Sequence, residues 1–328
     1  MNTTLAAITA LGGYVPDTIL ANRDLEKMVD TSHEWIVSRT GIHERRILND
    51  PEAATSDMAA EAIKNLLKNS DIEASEVEGL VLATSTPDKL LAPAAPKVCE
   101  KAGLENAWGF DLNAACSGFL YALSTAAAFI ESGRHKKIIV VGVDAMSRIV
   151  DYTDRNTCIL FGDGAGAVLL ESSKQNGLHD FILKANGSGS QYLSVPGGGS
   201  LDPFRNDTLE NRKQYVRQDG KMVFKNAIAG MTSVCKELLQ RNELNIDEID
   251  WVVPHQANIR IINAVADNLN VPSSKVKINI DRYGNTTAAT IPLCLWDFKK
   301  DFKAGDKILL TAFGAGFTFG ATYLTWEN

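Results

Sequence analysis

An α/β fold with largely buried sheets, built from two similar halves, is what this sequence predicts. Short apolar strand candidates alternate with helical patterns along the whole chain, and several segments of the first half return in the same order in the second. In order, MNTTLAAITALGGYVPD reads as a first strand and turn, its apolar run broken at Gly12, Gly13 and Pro16. EGLVLATS is a strand, APAAPKVCEKAG a helix and AWGFDL a buried strand. Ser117 to Ser132 is apolar on nearly every side, as expected of a helix enclosed by other layers, with Gly133 as its C-cap. The strands KKIIVVGVD and GAGAVLLE follow. In the second half IDWVVPHQAN echoes VEGLVLATST, DKILLTAFGAG echoes KKIIVVGVDAM, and FGATYLTW echoes AGAVLLES. The halves meet near ESSKQNGLHD and divide as residues 1–172 and 173–328. Between them and the later elements, Asn186 to Gly220 turns rich in Gly, Ser, Asp and Asn, the composition of a lid or site wall.

Composition narrows the function. With 328 residues, 45% hydrophobic and 22% charged, the chain has the balance of a soluble globular protein with a sizeable core. A net charge of -7 with scattered Lys and Arg argues against a nucleic-acid partner, because neutralising phosphates needs a concentrated basic face. The five cysteines, Cys99, Cys116, Cys158, Cys235 and Cys294, are widely spaced and form no C-x-x-C or Cys/His cluster, so we expect no metal site and a reduced, cytoplasmic chain. The start lacks the basic segment of a signal peptide. Leu112 to Ile130 is uncharged and about as long as a short membrane helix, but Asn113, Ser117, Ser124 and Thr125 dilute it, so no membrane span is expected.

Three residues could carry chemistry. Cys116 lies between a strand and a helix, where its sulfur would meet the unpaired N–H groups and positive end of the helix dipole. Such a place lowers a thiol pKa; an inert core cysteine is the alternative reading, and the one expected for the other four. His255 follows the strand that ends at Pro254, at the sheet edge where α/β proteins bind ligands, although a histidine there is also a common structural residue. Asn285, in RYGNTTAAT, reads locally as a turn or N-cap residue. FGDGAGA (161–167) and FGAGFTFGA (313–321) lack both nucleotide-loop patterns and instead offer close backbone approach, with main-chain N–H groups free to reach a reacting oxygen.

Taken in order, HEWIVSRTGIHERR, NAACSGF, PHQANIRI, YGNTTAAT and FGAGFTFGA make the chain resemble the β-ketoacyl-acyl carrier protein synthase III family of the thiolase superfamily, essentially end to end. The resemblance implies a thiolase-like five-layered αβαβα fold, with the nucleophile Cys116 in the first half and His255 and Asn285 in the second. It implies an acyl-enzyme on Cys116 formed from an acyl-CoA, condensed with malonyl-acyl carrier protein after loss of CO2. His255 Nε2 and the Asn285 amide would donate to the malonyl thioester oxygen, and the backbone N–H groups of Cys116 and Ala315 to the second oxyanion. Trp35, Arg39 and Arg155 would hold CoA. Arg260, one helical turn beyond His255, and Lys225 would meet the carrier protein. A homodimer and no cofactor are implied.

The chain departs from the family at three places. Ala315 stands where glycine is frequent, a mild change if its φ is negative. In TPDKLLAPAAPK, Ala92 stands where relatives carry a bulky aromatic that reaches across a dimer interface to limit the acyl pocket. A roomier pocket, bounded by Ala92, Leu91 and Phe313, follows as an expectation, with Leu90 or Leu91 able to refill the space. Phe319 replaces a frequent tryptophan. Two other functions remain open to the sequence: acyl transfer to another acceptor, and non-catalytic binding of acyl-CoA or carrier protein.

Overall fold

The computed structural model describes residues 4–327. A five-stranded and a four-stranded sheet form its frame. The strands of the first are β1 (Leu5–Tyr14), β2 (Gly79–Ala83), β3 (Trp108–Leu112), β4 (Lys137–Ala145) and β5 (Asp163–Ser173). Those of the second are β6 (Gly177–Ala185), β7 (Trp251–Pro254), β8 (Lys307–Gly314) and β9 (Thr318–Thr325). The principal helices are α1 (His33–Thr40), α2 (Thr55–Lys68), α3 (Ala95–Ala102), α4 (Gly118–Glu131), α5 (Gly220–Arg241), α6 (Ile259–Leu269) and α7 (Thr290–Asp297). Among the described residues no helix is long and apolar enough to cross a membrane.

The first sheet runs β1-β5-β4-β2-β3 and the second β7-β8-β9-β6. In both, a parallel pair (β2 with β4, β7 with β8) is continued by two antiparallel neighbours (β5 and β1, β9 and β6). The three echoes in the sequence therefore occupy matching places. The second sheet lacks a full counterpart of β3; a single parallel bridge, Val252 to Val276, stands there instead. The strand order thus repeats between the sheets, and β5, which ends at Ser173, is followed directly by β6, the first strand of the second sheet.

Helices α4 and α7 lie between the sheets, α2 and α3 cover the outside of the first, and α5 with α6 the outside of the second, which makes five layers. The apolar character of α4 follows from this position, since it packs on strands of both sheets. Phe119, Leu120 and Leu123 are fully buried, each worth about 1.5–3 kcal/mol of transfer free energy. The helix is capped at Ser132, and Gly133 takes the left-handed conformation just beyond it (φ 73°).

Two local expectations are corrected. β1 does not break at Gly12 and Gly13 but runs on to Tyr14. A Cβ at Gly12 would collide with the α2 backbone at Ala62, and one at Gly13 would lie 2.5 Å from the Trp296 ring, so glycine here serves close packing on both faces. Gly12→Ala is expected to destabilise the protein by about 1–3 kcal/mol through overpacking, measurable by urea unfolding. The strand β3, expected to be buried, is only half-buried along its length because it forms the edge of its sheet.

Candidate active site

Cys116 sits in a 3₁₀ turn, Ala115–Ser117, between β3 and α4. Ala115 is left-handed there (φ 50°), a conformation that costs a residue with a Cβ, and its N–H donates to Asn113 Oδ1 at 3.0 Å. The turn is stapled to the start of β9: Thr318 Oγ1 donates to the Ala114 carbonyl (2.8 Å) and Ser117 Oγ to the Thr318 carbonyl (3.2 Å). Gly314 belongs to this contact, because a Cβ there would lie 2.9 Å from the Cys116 nitrogen. Ala315 has no positive φ, so its departure from glycine brings no backbone strain.

Cys116 lines two cavities of unlike character. The first, about 540 Å³, includes His255, Asn285, Trp35, Arg39 and Arg260. The second, about 530 Å³, includes Met146, Ile149, Leu193, Val195 and Val216 together with uncharged polar residues such as Asn113 and Ser190, with Ala315 at its side. The Gly- and Ser-rich segment supplies part of both walls, as its composition led us to expect. The other four cysteines are buried and free, and neither cavity includes them.

His255 continues β7, its N–H donating to the Thr311 carbonyl of β8 at 2.8 Å. Its Nδ1 lies 2.7 Å from Thr290 Oγ1, and burial pushes the imidazole down to about 3, so it is neutral at physiological pH. Asn285 does not cap α7, which begins at Thr290. Gly284 (φ 65°) brings it against residues 160–162, where its N–H donates to the Leu160 carbonyl (2.9 Å) and its carbonyl accepts from Gly162 (3.1 Å). Asn285 Oδ1 accepts the Thr287 N–H at 2.9 Å, which leaves the side-chain NH₂ for the cavity.

Behind these residues is a network that the sequence did not reveal. The Thr287 hydroxyl donates to the buried Asp144 carboxylate, which also accepts from Ser85 N–H (2.7 Å), Thr86 Oγ1 (2.9 Å) and Thr84 Oγ1 (3.1 Å). Asp144 on β4 thus ties the first half to the turn that carries Asn285. The one signal available was the hydroxyl cluster in NTTAAT.

Trp35 and Arg39 lie on α1, whose end at Gly41 (φ 78°) packs so tightly on α6 that a Cβ would be 2.7 Å from Ile259. Arg155 stacks over the Trp35 ring at 4.2 Å and Arg39 lies 5.9 Å from it. Arg260 is exposed and 5.2 Å from the Phe224 ring. It is not one helical turn beyond His255: residues 255–258 precede the helix, Asn258 caps α6, and Arg260 lies in its first turn. Lys225 is exposed on α5 and lines neither cavity. Phe313 lines the first cavity rather than the second, and Leu91 and Ala92 line neither; both are exposed on the loop before α3.

The expected lowering of the Cys116 pKa is not found. Burial, aided by the Asp144 carboxylate, pushes the thiol up to about 12. The sulfur is therefore protonated at neutral pH. Alkylation of Cys116 by iodoacetamide should rise about tenfold per pH unit from pH 7 to 9 without a plateau. A plateau near neutrality would show that the helix terminus prevails over burial.

Two sheets sharing an internal helical layer, with a cysteine turn where the halves meet, define a thiolase-fold enzyme. The family model 3-oxoacyl-[acyl-carrier-protein (ACP)] synthase III matches residues 110–187, and that of its C-terminal part matches residues 239–326. A β-ketoacyl-[acyl-carrier-protein] synthase III of Phocaeicola vulgatus is 50% identical over 322 residues, 98% of this chain and 96% of the relative. One from Koribacter versatilis is 52% identical over 326 residues, 98% of each chain. The crystal structure of 3-oxoacyl-[acyl-carrier-protein] synthase III from Aquifex aeolicus superposes with a TM-score of 0.90 at 42% identity, covering 98% of this chain and all of that one. The chain belongs to the β-ketoacyl-acyl carrier protein synthase III family, condensing acyltransferases of fatty acid biosynthesis.

Proposed function

We propose that Cys116 attacks an acyl-CoA thioester, carries the acyl group, and delivers it to malonyl-acyl carrier protein. The observation that carries this reading is the place of Cys116 at the junction of two cavities, one that holds His255 and Asn285 and is lined by the cations Arg39, Lys221 and Arg260, and one whose lining has no charged side chain. In the first step the Cys116 sulfur bonds to the acyl carbon, the carbon–sulfur bond to CoA breaks, and the thiol proton of Cys116 ends on CoA. In the second, the electron pair of the breaking carbon–carbon bond to CO2 forms the enolate of the malonyl thioester. Its α-carbon attacks the acyl carbon, and the Cys116 thiolate leaves and takes up a proton. His255 Nε2 and the Asn285 amide stabilise the enolate oxygen, while the N–H groups of Cys116 and Ala315 face the oxyanion on the acyl carbon. Thioester chemistry supplies both leaving groups, so no cofactor enters.

Trp35, Arg39 and Arg155 suit the nucleotide end of CoA, with an indole for stacking and guanidinium groups for phosphate. Arg260 and Lys225 give an acidic enzyme a local basic rim for the carrier protein. Free, buried cysteines support a reduced, cytoplasmic setting. A homodimer is supported by the half-buried edge strand β3 and by the exposed Leu90 (71%) and Leu91 (105%). In such a dimer Leu91 and Ala92 would bound the partner's acyl cavity.

The second cavity, about 530 Å³, far exceeds an acetyl group, whose three heavy atoms need about 90 Å³ at the volume of a water each. We therefore expect primers longer or more branched than acetyl. Release of CO2 from malonyl-carrier protein, followed across acyl-CoAs from acetyl upward, tests both points. The expected result is release that depends on acyl-CoA and peaks beyond acetyl. A sharp optimum at acetyl contradicts the roomy pocket, and absence of release contradicts condensation in favour of another acceptor.

A further inference from the structure

The turn that carries Asn285 repeats the turn that carries Cys116. Asn113 and Asn285 each accept, on Oδ1, the N–H of the residue two further on, Ala115 at 3.0 Å and Thr287 at 2.9 Å. Ala115 and Thr287 are both left-handed, with φ of 50° and 52°. Each opens a 3₁₀ turn that leads into a helix of the internal layer, α4 at Gly118 and α7 at Thr290. Ala288 thus stands in the second turn where Cys116 stands in the first.

The strands that meet these turns differ at one matched position. Where DKILLTAFGAG echoes KKIIVVGVDAM, Gly314 of β8 corresponds to Asp144 of β4. Gly314 gives the Cys116 turn room, since a Cβ there would lie 2.8 Å from the Ala114 carbonyl and 2.9 Å from the Cys116 nitrogen. Asp144 instead extends a carboxylate to the other turn. One of its oxygens accepts the Thr287 hydroxyl and the Ala288 N–H (3.2 Å). The other accepts Ser85 N–H, Thr86 Oγ1 and Thr84 Oγ1. Thr86 Oγ1 and Thr84 Oγ1 in turn accept the N–H groups of Ala145 (2.8 Å) and Thr86 (3.1 Å), so their protons are free for the carboxylate. All five partners donate, and the fully buried Asp144 is satisfied on both oxygens. A left-handed φ is costly for a β-branched residue such as Thr287. Asp144 grips that residue and the next, and so holds the conformation that directs the Thr287 N–H to Asn285 Oδ1.

We propose that Asp144 is a positioning residue for decarboxylation, whose carboxylate fixes the turn at Thr287 and through it the direction of the Asn285 NH₂ in the cavity. The Cys116 turn takes no hydrogen bond from Asp144, so acylation does not share this dependence. The proposal deepens the decarboxylation reading above and rests on it for its catalytic consequence, but not for the hold of Asp144 on the turn.

The test is Asp144→Asn in the full chain. Amide hydrogen exchange is followed at Thr287 and, as the matched control, at Ala115, while CO2 release and acyl-enzyme formation are measured separately. The asparagine keeps the shape but faces donors with an NH₂, which turns to the side with two donors rather than three and gives up the bonds to Thr287 and Ala288. Exchange at Thr287 should quicken at least about tenfold with Ala115 unchanged. Release of CO2 should slow by about 10- to 100-fold with acyl-enzyme formation kept. Thr287→Ala, which removes a single donor, should slow release about tenfold and add little to Asp144→Asn in the double variant. Unchanged protection at Thr287, equal loss of protection at both turns, or equal loss of both half-reactions overturns the proposal. If Asp144→Asn does not fold, Thr287→Ala decides by the same readings. Wild-type protein that releases no CO2 refutes decarboxylation, and exchange at the two turns still decides whether Asp144 holds the one that carries Asn285.

Discussion

Cys116→Ala should abolish acyl transfer, with a loss of at least about 10⁴-fold, while the folded protein persists. No other side chain in either cavity offers a sulfur nucleophile, and the remaining cysteines are buried away from both. The substitution removes one sulfur from a residue that already borders open space, so it enlarges existing cavities instead of creating a new one. Stability should therefore fall by no more than about 1–2 kcal/mol, read from urea unfolding. Condensation at the wild-type rate would refute the nucleophile assignment.

Asn285→Asp should slow decarboxylation by about 10²-fold or more and spare acyl-enzyme formation. The Thr287 N–H would still be accepted by one carboxyl oxygen, so the turn keeps its shape. The other oxygen would replace the NH₂ donor with a lone pair or a negative charge beside the developing enolate. The buried Asp144 carboxylate, joined to the same turn through Thr287, adds to the repulsion. Single-turnover acylation and CO2 release measured separately check this division, and equal loss of both half-reactions would show it to be wrong.

Much of this arrangement was legible in the sequence because it rests on local pattern. The strand ILLTAFG and its echo IIVVGVD differ in residues yet share the apolar run that a sheet covered on both faces requires, and they occupy matching places in the two sheets. The turn at Cys116 was readable from its position between a strand and a helix. What escaped depends on contacts between distant residues. Asp144 and Thr287 are far apart in sequence, and nothing in GVDAM or NTTAAT alone says that a buried carboxylate will meet a threonine hydroxyl. The thiol pKa was misjudged for the same reason: the helix terminus is local and visible, whereas burial and Asp144 are products of folding. Gly12 and Gly13 resembled a strand break because their purpose, close contact with α2 and Trp296, lies off the strand.

The most direct measurement of the central claim is intact-protein mass spectrometry after incubation with a mixture of acyl-CoAs, followed by a chase with malonyl-carrier protein. The account predicts an acyl adduct that maps to Cys116, disappears during the chase, and reappears as β-ketoacyl-carrier protein. An adduct that survives the chase, or no adduct at all, would contradict it.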